Sequence, residues 1–446
     1  MNRREFSKLA CSLPGLSILS GCWVEPANQY EQFNLVSDET SASLFSPSVK
    51  SFAEPSEFIN AWGIAIRPAG AGGHFWITAG KYSYQFVGDV KESADPNLRV
   101  LYQDQLRLIR IPGVTDDGGF STGTVFNGAN LESNQFVVKN QPVGLNGQTI
   151  ELNGSARFLF ATDTGVISGW TERDPSNPGK PVREDGPAIA MIDDSGNGAA
   201  FFGIALRPDN WSTLWVADFG KNPRLRQYND QWEEVELQGF ENPFASGPDG
   251  KLLPGDYAPF NVQTLAVNAT PFVFVAYAKT QEDPEAKGQF FAAEEDALSA
   301  SDEGNKPNRG KVVMYSLDGQ QIQVFDDKRL NAPWGLAVAP QGFGELSGKL
   351  LVGNFGGAGR IAAYDISTGR FTDWMRDAKS QIIGIPGLWG LQFGNGESLG
   401  DVNALYFAAG PSDETQGLFG ALRPLEPART NPSPFQSLPP KSVSSQ

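Results

Sequence analysis

The chain of 446 residues carries a formal net charge of −16 and contains 50 glycines and 31 prolines. An acidic surface repels the phosphates of nucleic acids, so the charge excludes DNA or RNA binding as an expected function. The length exceeds what one compact hydrophobic core usually holds, and the abundance of glycine and proline is typical of strands and turns. A repeated β architecture, in which each unit has its own small core, satisfies both observations.

The first 21 residues resemble a twin-arginine export signal of the lipoprotein type. Arg3 and Arg4 are followed by the aromatic Phe6, and the apolar stretch after them is too short to span a bilayer as a stable anchor. The stretch ends in Leu-Ser-Gly-Cys, which resembles a bacterial lipoprotein cleavage box with Cys22 as the lipid-bearing residue. We therefore expect an exported protein that Cys22 anchors to a bacterial membrane, facing the periplasm or the cell exterior, with residues 22–31 as a tether.

A short phrase, in which a small residue precedes alternating apolar residues and a turn, recurs six times along the chain. The copies occupy residues 61–68, 122–128, 201–208, 263–269, 334–340 and 389–395. A second apolar run follows each copy, and these runs occupy residues 74–80, 157–165, 213–220, 272–279, 349–356 and 404–411. Their composition and their flanking turn residues predict strands rather than helices.

The spacing of the copies predicts the fold. Marked by their small residue, the copies lie 55–80 residues apart, and the marks are Gly63, Gly123, Gly203, Thr264, Gly335 and Gly390. Third and fourth strands are predicted in several copies, for example at 359–366 and 371–377. Four strands per copy at this spacing predict an all-β, six-bladed β-propeller with four-stranded blades. The second mark stays open, because residues 142–147 compete with 122–128 for its role.

The ends of the repeat predict how the ring closes. The last blade has three strands by this count, at 389–394, 404–409 and 418–424, and one additional strand at 32–38 precedes the first blade. A propeller must close its ring or leave two unpaired edges. We expect the strand at 32–38 to pair with the last blade, which gives one propeller domain over 32–424 and a disordered tail over 425–446.

Three insertions are predicted within the blades, at residues 88–104, 128–156 and 281–310. The last of them contains eight Asp or Glu residues against three Lys or Arg residues. It is interpreted as a solvated loop, and the alternative is a site for calcium or for a basic partner.

The residue before each mark is expected to face the central channel, because the first strand of each blade lines the axis. These residues are Trp62, Thr122, Phe202, Gln263, Trp334 and Trp389, and Asn60, Asn261 and Asn331 lie just upstream. Aromatic rings with amides nearby are typical of a small-molecule or sugar site. The alternative is that these large flat side chains fill the gaps between adjacent blades.

A second candidate site lies where the second strands end. Asp218 and Asn354 occupy two of these ends, and Asp163 follows a third. Oxygen ligands from different blades would hold Ca²⁺, which takes about six to eight of them, so Ca²⁺ is the cofactor that this site would bind. The alternative is that the Asp and Asn side chains cap turns.

Two further features carry weaker signals. Residues 193–198 have the spacing of the first half of a calcium loop, and an interblade turn explains the same residues. His74 is the only histidine of the chain and lies at a predicted turn. We expect it to be a surface residue rather than a catalytic one.

Several phrases together resemble a family of exported bacterial proteins of unknown function, known only as hypothetical six-bladed propellers. The matching phrases occupy residues 33–38, 60–68, 160–170, 257–265, 275–279, 330–356, 387–396 and 408–420. The resemblance implies the propeller fold and export, and it implies no catalytic residues. A more distant resemblance to NHL-type propellers concerns blade shape alone.

Two functions are compatible with these observations. The first is a binding or scaffold protein that takes a small molecule, a sugar or a protein on one face of a rigid ring. The second is a divalent-metal-dependent hydrolase, similar to lactonases of the gluconolactonase kind, that acts through Asp218, Asn354 and their neighbours. We favour the first function, because the sequence shows no convergent acid–base pair.

Overall fold

The computed structural model of the chain describes residues 27–38, 57–116, 118–282, 290–292 and 308–425. The predicted export signal with Arg3, Arg4 and Phe6, the lipidation site Cys22 and the tail after residue 425 lie outside the described residues. The described part is almost entirely strand and turn, and its helices are 3₁₀ segments of three or four residues. No helix among these residues is long and apolar enough to cross a membrane.

The first three blades follow one another in chain order, and their strands run from the axis to the rim. Blade 1 consists of Ala61–Ala65, Phe75–Ala79, Tyr82–Phe86 and Leu108–Arg110, with Gly186–Pro187 added at its outer edge. Blade 2 consists of Ser121–Phe126, Phe158–Thr162, Val166–Trp170 and Ile189–Asp193. Blade 3 consists of Phe201–Leu206, Thr213–Asp218, Arg224–Asn229 and Glu234–Val235.

The last three blades complete the ring. Blade 4 consists of Tyr257–Val267, Thr270–Glu282, Gly310–Tyr315 and Gln321–Phe325, and the short strand Phe290–Ala292 pairs with its second strand. Blade 5 consists of Pro333–Val338, Leu350–Asn354, Ile361–Tyr364 and Phe371–Trp374. Blade 6 consists of Leu388–Phe393, Leu405–Ala409, Leu418–Pro424 and the N-terminal strand Tyr30–Ser37.

The predicted six-bladed, all-β propeller is therefore confirmed, and each copy of the repeated phrase overlaps a first strand. The competing segment 142–147 lies at the turn of a hairpin, Val137–Leu145 with Gln148–Ser155, which is inserted between the first two strands of blade 2. The open question about the second mark is thus settled in favour of 122–128.

The ring closes through its N-terminal strand, as predicted. Tyr30–Ser37 pairs antiparallel with Leu418–Pro424, so the start of the chain supplies the outermost strand of blade 6. The strand begins two residues earlier than predicted, and the amide of Asn28 already donates to the carbonyl oxygen of Trp374 at 2.8 Å. The end of the segment predicted to be a tether is consequently part of the folded ring.

Every first strand carries a β-bulge at the same level of the axis. In blade 1 the pairing shifts between Ala61 and Ile64, so Trp62 and Gly63 form the bulge. The other five first strands shift in the same place, and the resulting ring of bulged residues is Trp62, Thr122, Phe202, Phe260, Trp334 and Trp389. A bulge re-aims a side chain relative to the regular pleat, and here it occurs at an aromatic residue in five of the six blades.

The small residue of each phrase is required because neighbouring first strands approach closely at the bulge. A Cβ atom on Gly390 would lie 2.5 Å from the carbonyl oxygen of Trp62, and one on Gly335 would lie 2.2 Å from that of Trp389. Non-bonded backbone and Cβ atoms do not approach this closely, so only glycine fits. In blade 4 the bulge precedes Asn261 rather than Thr264. The mark predicted at Thr264 is therefore displaced by three residues.

Candidate functional site

The bulged residues of five blades meet on the propeller axis and form one aromatic cluster. Trp62 and Trp389 stack face to face, with ring centroids 3.7 Å apart and an interplanar angle of 17°. Phe355, from the loop after the second strand of blade 5, stacks on Trp389 at 3.9 Å. Trp334 approaches both tryptophans edge-on, at 6.3 Å from Trp62 and 5.9 Å from Trp389. This end of the channel is filled with stacked rings.

The cluster continues on the side of blades 3 and 4. Phe202 packs edge-on against Trp62 at 5.3 Å and lies at 5.2 Å from Phe260. Each aromatic pair in such geometries stabilises the fold by about 0.5–1.5 kcal/mol beyond its area burial. The indole N–H groups of Trp62 and Trp334 are buried and have no hydrogen-bond partner among the described residues. Ring packing rather than hydrogen bonding therefore holds these two indoles.

A pocket of about 550 Å³ lies against this cluster at one end of the axis. Trp62 and Trp389 are only 3% and 1% exposed, so they form its deep part, whereas Phe120, Phe202 and Phe355 are half-buried. The described residues of the lining are Trp62, Phe120, Asp163, Gly198, Ala199, Ala200, Phe202, Phe219, Gly220, Lys221, Phe260, Phe290, Ala292, Phe355, Trp389 and Glu414. The lining is mostly aromatic and small, and two carboxylates interrupt it.

Asp163 is the first of these carboxylates and follows the second strand of blade 2. Its Oδ1 accepts a hydrogen bond from the backbone N–H of Phe120 at 2.7 Å. Burial raises the pKa of Asp163 to about 6, because the loss of hydration outweighs the backbone donors. In the described part of the chain, no lysine or arginine forms an ion pair with Asp163. The carboxylate is thus held in the pocket without a compensating cation from the described residues.

Glu414 is the second carboxylate and belongs to the loop after the second strand of blade 6. Its Oε1 accepts a hydrogen bond from the side-chain amide of Asn60 at 3.0 Å. Asn60 is fully buried, and its Oδ1 accepts from the indole N–H of Trp389 at 2.9 Å. Burial raises the pKa of Glu414, the hydrogen bond from Asn60 opposes this shift, and the negative charge of Asp163 adds to it. The two carboxylates consequently lie close enough to influence each other's ionisation.

The backbone that presents Glu414 is unusual. Ser412, Asp413 and Glu414 have φ values of 55°, 51° and 63°, so three consecutive residues with side chains adopt the left-handed conformation. Each such residue costs roughly 1–2 kcal/mol relative to the right-handed region. Asn60, which holds Glu414, is also left-handed at φ 48°. Strained backbone of this kind concentrates at functional sites, where surrounding contacts maintain it.

Six of the nine predicted axial residues do not line the pocket, and these are Asn60, Thr122, Asn261, Gln263, Asn331 and Trp334. Gln263 lies beyond the bulge of blade 4, where its Oε1 accepts from the backbone N–H of Leu336 at 2.9 Å. It lines a smaller cavity of about 210 Å³ together with Thr124, Gln392 and apolar residues of the first strands. Blade 4 contributes Phe260 to the ring of bulged residues, at the position that was predicted for Gln263. Trp334 belongs to the cluster but does not line the pocket.

Asp218 and Asn354, the predicted metal ligands, serve loop structure instead. Asp218 is fully buried and accepts from the guanidinium of Arg226, at 2.9 Å from Nε and 2.7 Å from Nη2. Its Oδ1 accepts from the backbone N–H groups of Ala200 and Gly220 at 3.0 and 2.9 Å. All four of its strong acceptor positions are therefore occupied, as expected for an aspartate that caps a turn.

Asn354 ties the equivalent loop of blade 5. Its Oδ1 accepts from the backbone N–H of Asn331 at 3.0 Å, and its side-chain amide donates to the carbonyl oxygen of Arg329 at 2.9 Å. Among the described residues, no group of three His, Cys, Asp or Glu side chains lies close enough together to hold a metal ion. The geometry brings Asp163 together with Glu414, and it does not bring Asp163 together with Asp218 or Asn354 in one ligand set.

Two further predicted features also have structural roles. Residues 193–198 form the interblade turn between blades 2 and 3, in which Asp193 accepts from the backbone N–H of Ser195 at 3.1 Å. His74 is 3% exposed rather than superficial, and its Nε2 lies 2.9 Å from Oδ1 of Asp104. Burial alone would raise the pKa of Asp104, but the contact with His74 and the backbone donors together outweigh burial and lower it. The expectation that His74 lies on the surface was wrong, because it anchors the insertion of blade 1.

Comparison with known proteins yields relatives without an assigned function. No family model matches the chain. The chain is 25% identical over 371 residues to "Uncharacterized protein R648" of Acanthamoeba polyphaga mimivirus. The aligned region covers 82% of this chain and 75% of that protein. It is 29% identical over 212 residues to "Uncharacterized protein L690" of the same virus, which covers 47% of this chain and 49% of the relative. A third viral relative, "Uncharacterized protein R640", is 26% identical over 238 residues, 53% of this chain and 38% of its own length.

Proposed function

We propose that the protein binds a small molecule in the pocket at the aromatic end of the propeller axis. The observation that carries this proposal is the pair of half-buried carboxylates, Asp163 and Glu414, which face an apolar pocket without a paired cation among the described residues. Buried carboxylates normally gain a cation or several hydrogen bonds. A convergent pair that is left partly unsatisfied in a concave aromatic site is typical of a ligand-binding site.

The rigidity of the ring supports this function. Six blades fix the bulged residues in place, and the pocket lies where side chains from all six blades and their loops meet. Sites assembled from several rigid elements hold their geometry before a ligand arrives, which reduces the entropy lost on binding. The loops that carry Asp163 and Glu414 add the two carboxylates to this rigid frame.

A pocket-filling variant tests the proposal. Ala292 lines the pocket from the short strand of blade 4, so Ala292→Trp is expected to occupy the space of a ligand. Ala266→Trp is the matched control, because Ala266 is exposed and lines a different groove on the same blade. Saturation-transfer NMR with fragment-sized aromatic, aliphatic, sugar, cationic and anionic solutes is expected to detect binders for the wild type and the control that Ala292→Trp loses.

Two outcomes of this experiment would contradict the proposal. A wild-type protein that binds none of these solutes, or binders that Ala292→Trp retains with unchanged signal, would leave the pocket without a ligand-binding role. The scaffold function, in which the ring binds another protein, would then be the remaining interpretation.

We further propose that the protein is exported and anchored through a lipid on Cys22. The support comes from the sequence around Arg3, Arg4 and Phe6 and from the cleavage box that ends at Cys22. Expression in a bacterium with a twin-arginine translocase is expected to place the wild type in the membrane fraction with an acylated N-terminal cysteine. Cys22→Ala is expected to lose the lipid, and conversion of both arginines to lysine is expected to retain the protein in the cytoplasm. An unprocessed, cytoplasmic wild-type protein would exclude this proposal.

A further inference from the structure

The lining of the axial pocket combines aromatic faces with carboxylates. Its described part includes eight aromatic side chains, two carboxylates and one lysine, and it contains no serine, threonine, tyrosine, asparagine or glutamine. The lysine, Lys221, is exposed, so water screens its charge. The deeper part of the pocket is therefore lined mainly by apolar groups and also has a negative electrostatic potential.

Aromatic faces and carboxylates attract the same kind of ligand. The face of a benzene or indole ring carries negative charge from its quadrupole and attracts a cation within about 6 Å of its centroid. Such contacts contribute roughly 0.5–2 kcal/mol each, with the larger values at desolvated sites. Asp163 and Glu414 add formal negative charge to the rings around them, so both parts of the lining favour a positively charged group.

The same lining disfavours the other common ligand classes. A sugar presents several hydroxyl groups that each need a hydrogen-bonding partner, and the described lining offers only two carboxylates and one lysine for that purpose. An anion would be repelled by the ring faces and by both carboxylates. A neutral apolar ligand would leave the two raised-pKa carboxylates as desolvated as they are in the empty pocket.

We propose that the axial pocket binds a small organic ammonium ion, with its alkyl groups against the aromatic rings and its charge balanced by Asp163 and Glu414. This inference rests on the proposed small-molecule function and names the ligand class. A pocket of about 550 Å³ accommodates a monovalent amine or quaternary ammonium ion of a few to a dozen carbon atoms.

The proposal includes a dependence of affinity on pH. Among the described residues, the charged neighbours of the two carboxylates are Lys221, which shares the pocket lining, and Asp413, whose charge also raises the pKa of Glu414; the neutral Asn60 donates to Glu414. A bound cation stabilises the ionised carboxylates, so binding at a pH near or below the Asp163 pKa of about 6 releases a proton. Affinity is therefore expected to rise as the pH increases through about 6 and to level off above it.

The experiment compares matched pairs of cationic and neutral solutes by titration calorimetry. One pair is choline with 3,3-dimethylbutan-1-ol, and the other is cyclohexylammonium with cyclohexanol, so that shape is constant and charge changes. The cation of each pair is expected to bind the wild type at least about tenfold more tightly than its neutral partner at pH 7.5. Asp163→Asn and Glu414→Gln are each expected to remove most of this preference, whereas the exposed Asp249→Asn is expected to retain it.

The possible results separate this inference from the function on which it rests. If the neutral member of each pair binds as tightly as the cation, the ammonium ligand is excluded while small-molecule binding stands. If cations bind but Asp163→Asn and Glu414→Gln leave both affinity and its pH dependence unchanged, the cation binds elsewhere and the assignment falls. If no solute of any class binds, the proposed function fails together with the inference.

Discussion

Blades 2 and 3 each place an aspartate at the end of the second strand, and the two aspartates have opposite surroundings. Asp218 in blade 3 is paired with the guanidinium of Arg226 and accepts from two backbone N–H groups. Asp163 in blade 2 accepts from the backbone N–H of Phe120 and faces the aromatic pocket. The same residue type on neighbouring blades thus stabilises a loop in one place and carries unbalanced charge in the other.

The difference shows how a buried carboxylate behaves with and without a counter-charge in a repeated fold. Burial alone would lower the pKa of Arg226, but the charges and hydrogen bonds of its partners, Asp218 first among them, together outweigh burial and raise it, which is characteristic of a satisfied ion pair. Burial raises the pKa of Asp163 instead, because no described cation compensates it. Ionisation of Asp163 therefore destabilises the folded state, which is the trade-off between stability and activity expected of the binding site proposed above.

The largest expected effect of a substitution is at Asp218. Asp218→Asn removes one counter-charge of the buried guanidinium of Arg226, which keeps Asp194 and Glu234 as partners. The expected cost is therefore at the lower end of the about 3–5 kcal/mol for breaking a buried pair. Chemical denaturation at pH 7 is expected to show this loss in the free energy of unfolding.

Asp209→Asn is the matched control for that measurement. Asp209 also pairs with an arginine, Arg207, but its side chain is 45% exposed. Exposed pairs contribute below about 1 kcal/mol. Equal losses for the two variants would show that Asp218 does not act as a buried counter-ion, and the comparison with Asp163 would lose its basis.

The next largest effect on the free energy of unfolding is at Asp163, where the substitution is expected to stabilise the fold rather than destabilise it. The folded-state pKa of about 6 exceeds the unfolded value near 3.8, so the stability contributed by the protonated form is present below pH 4 and is lost as the pH rises through 6. Asp163→Asn stays neutral and avoids this loss. The variant is expected to match the wild type near pH 4 and to be more stable by about 2–3 kcal/mol at pH 8.

Asp365→Asn provides a control with the reverse dependence. Hydrogen bonds, first of all from Lys349, lower the pKa of Asp365, so its ionised form stabilises the folded state at neutral pH. This variant is expected to be less stable than the wild type at pH 8. A parallel pH dependence for Asp163→Asn would show that the pocket carboxylate is not desolvated.

The fold was predictable because the repeat reflects a steric requirement. A glycine beside the bulge is needed in most blades, since a Cβ atom there would collide with the next first strand, as at Gly390 and Trp62. This requirement recurs at each blade and is therefore visible in a single sequence. Blade 4 departs from it, because Asn261 occupies the glycine position and Phe260 the aromatic position. The phrase beginning at Gln263 is similar to the repeated phrase but lies three residues after the actual bulge position.

The pocket was only partly predictable. Asn60, Trp62, Trp389 and Asp163 were identified because they lie next to the repeated phrases. Glu414 was missed, since it belongs to a loop outside the phrases and meets Asn60 across 354 positions of sequence. That contact depends on ring closure and on left-handed backbone at residues with side chains, and local sequence patterns indicate neither. The sequence therefore indicated only Asp163 of the two carboxylates that meet in the pocket.

The smallest expected effect tests whether Glu414, like Asp163, is held at the expense of stability. Asp413 is exposed and left-handed at φ 51°, so Asp413→Gly removes steric strain from the loop. Asp413→Ala removes the same charge but keeps the strain, and the glycine variant is expected to be the more stable of the two by about 0.5–1 kcal/mol. The loop of the glycine variant restrains Glu414 less. The affinity of the glycine variant for choline is therefore expected to fall a few-fold below that of the alanine variant. A glycine variant that is no more stable than the alanine variant would show that this loop stores no strain. The left-handed turn would then result from ring closure and would not serve to position Glu414.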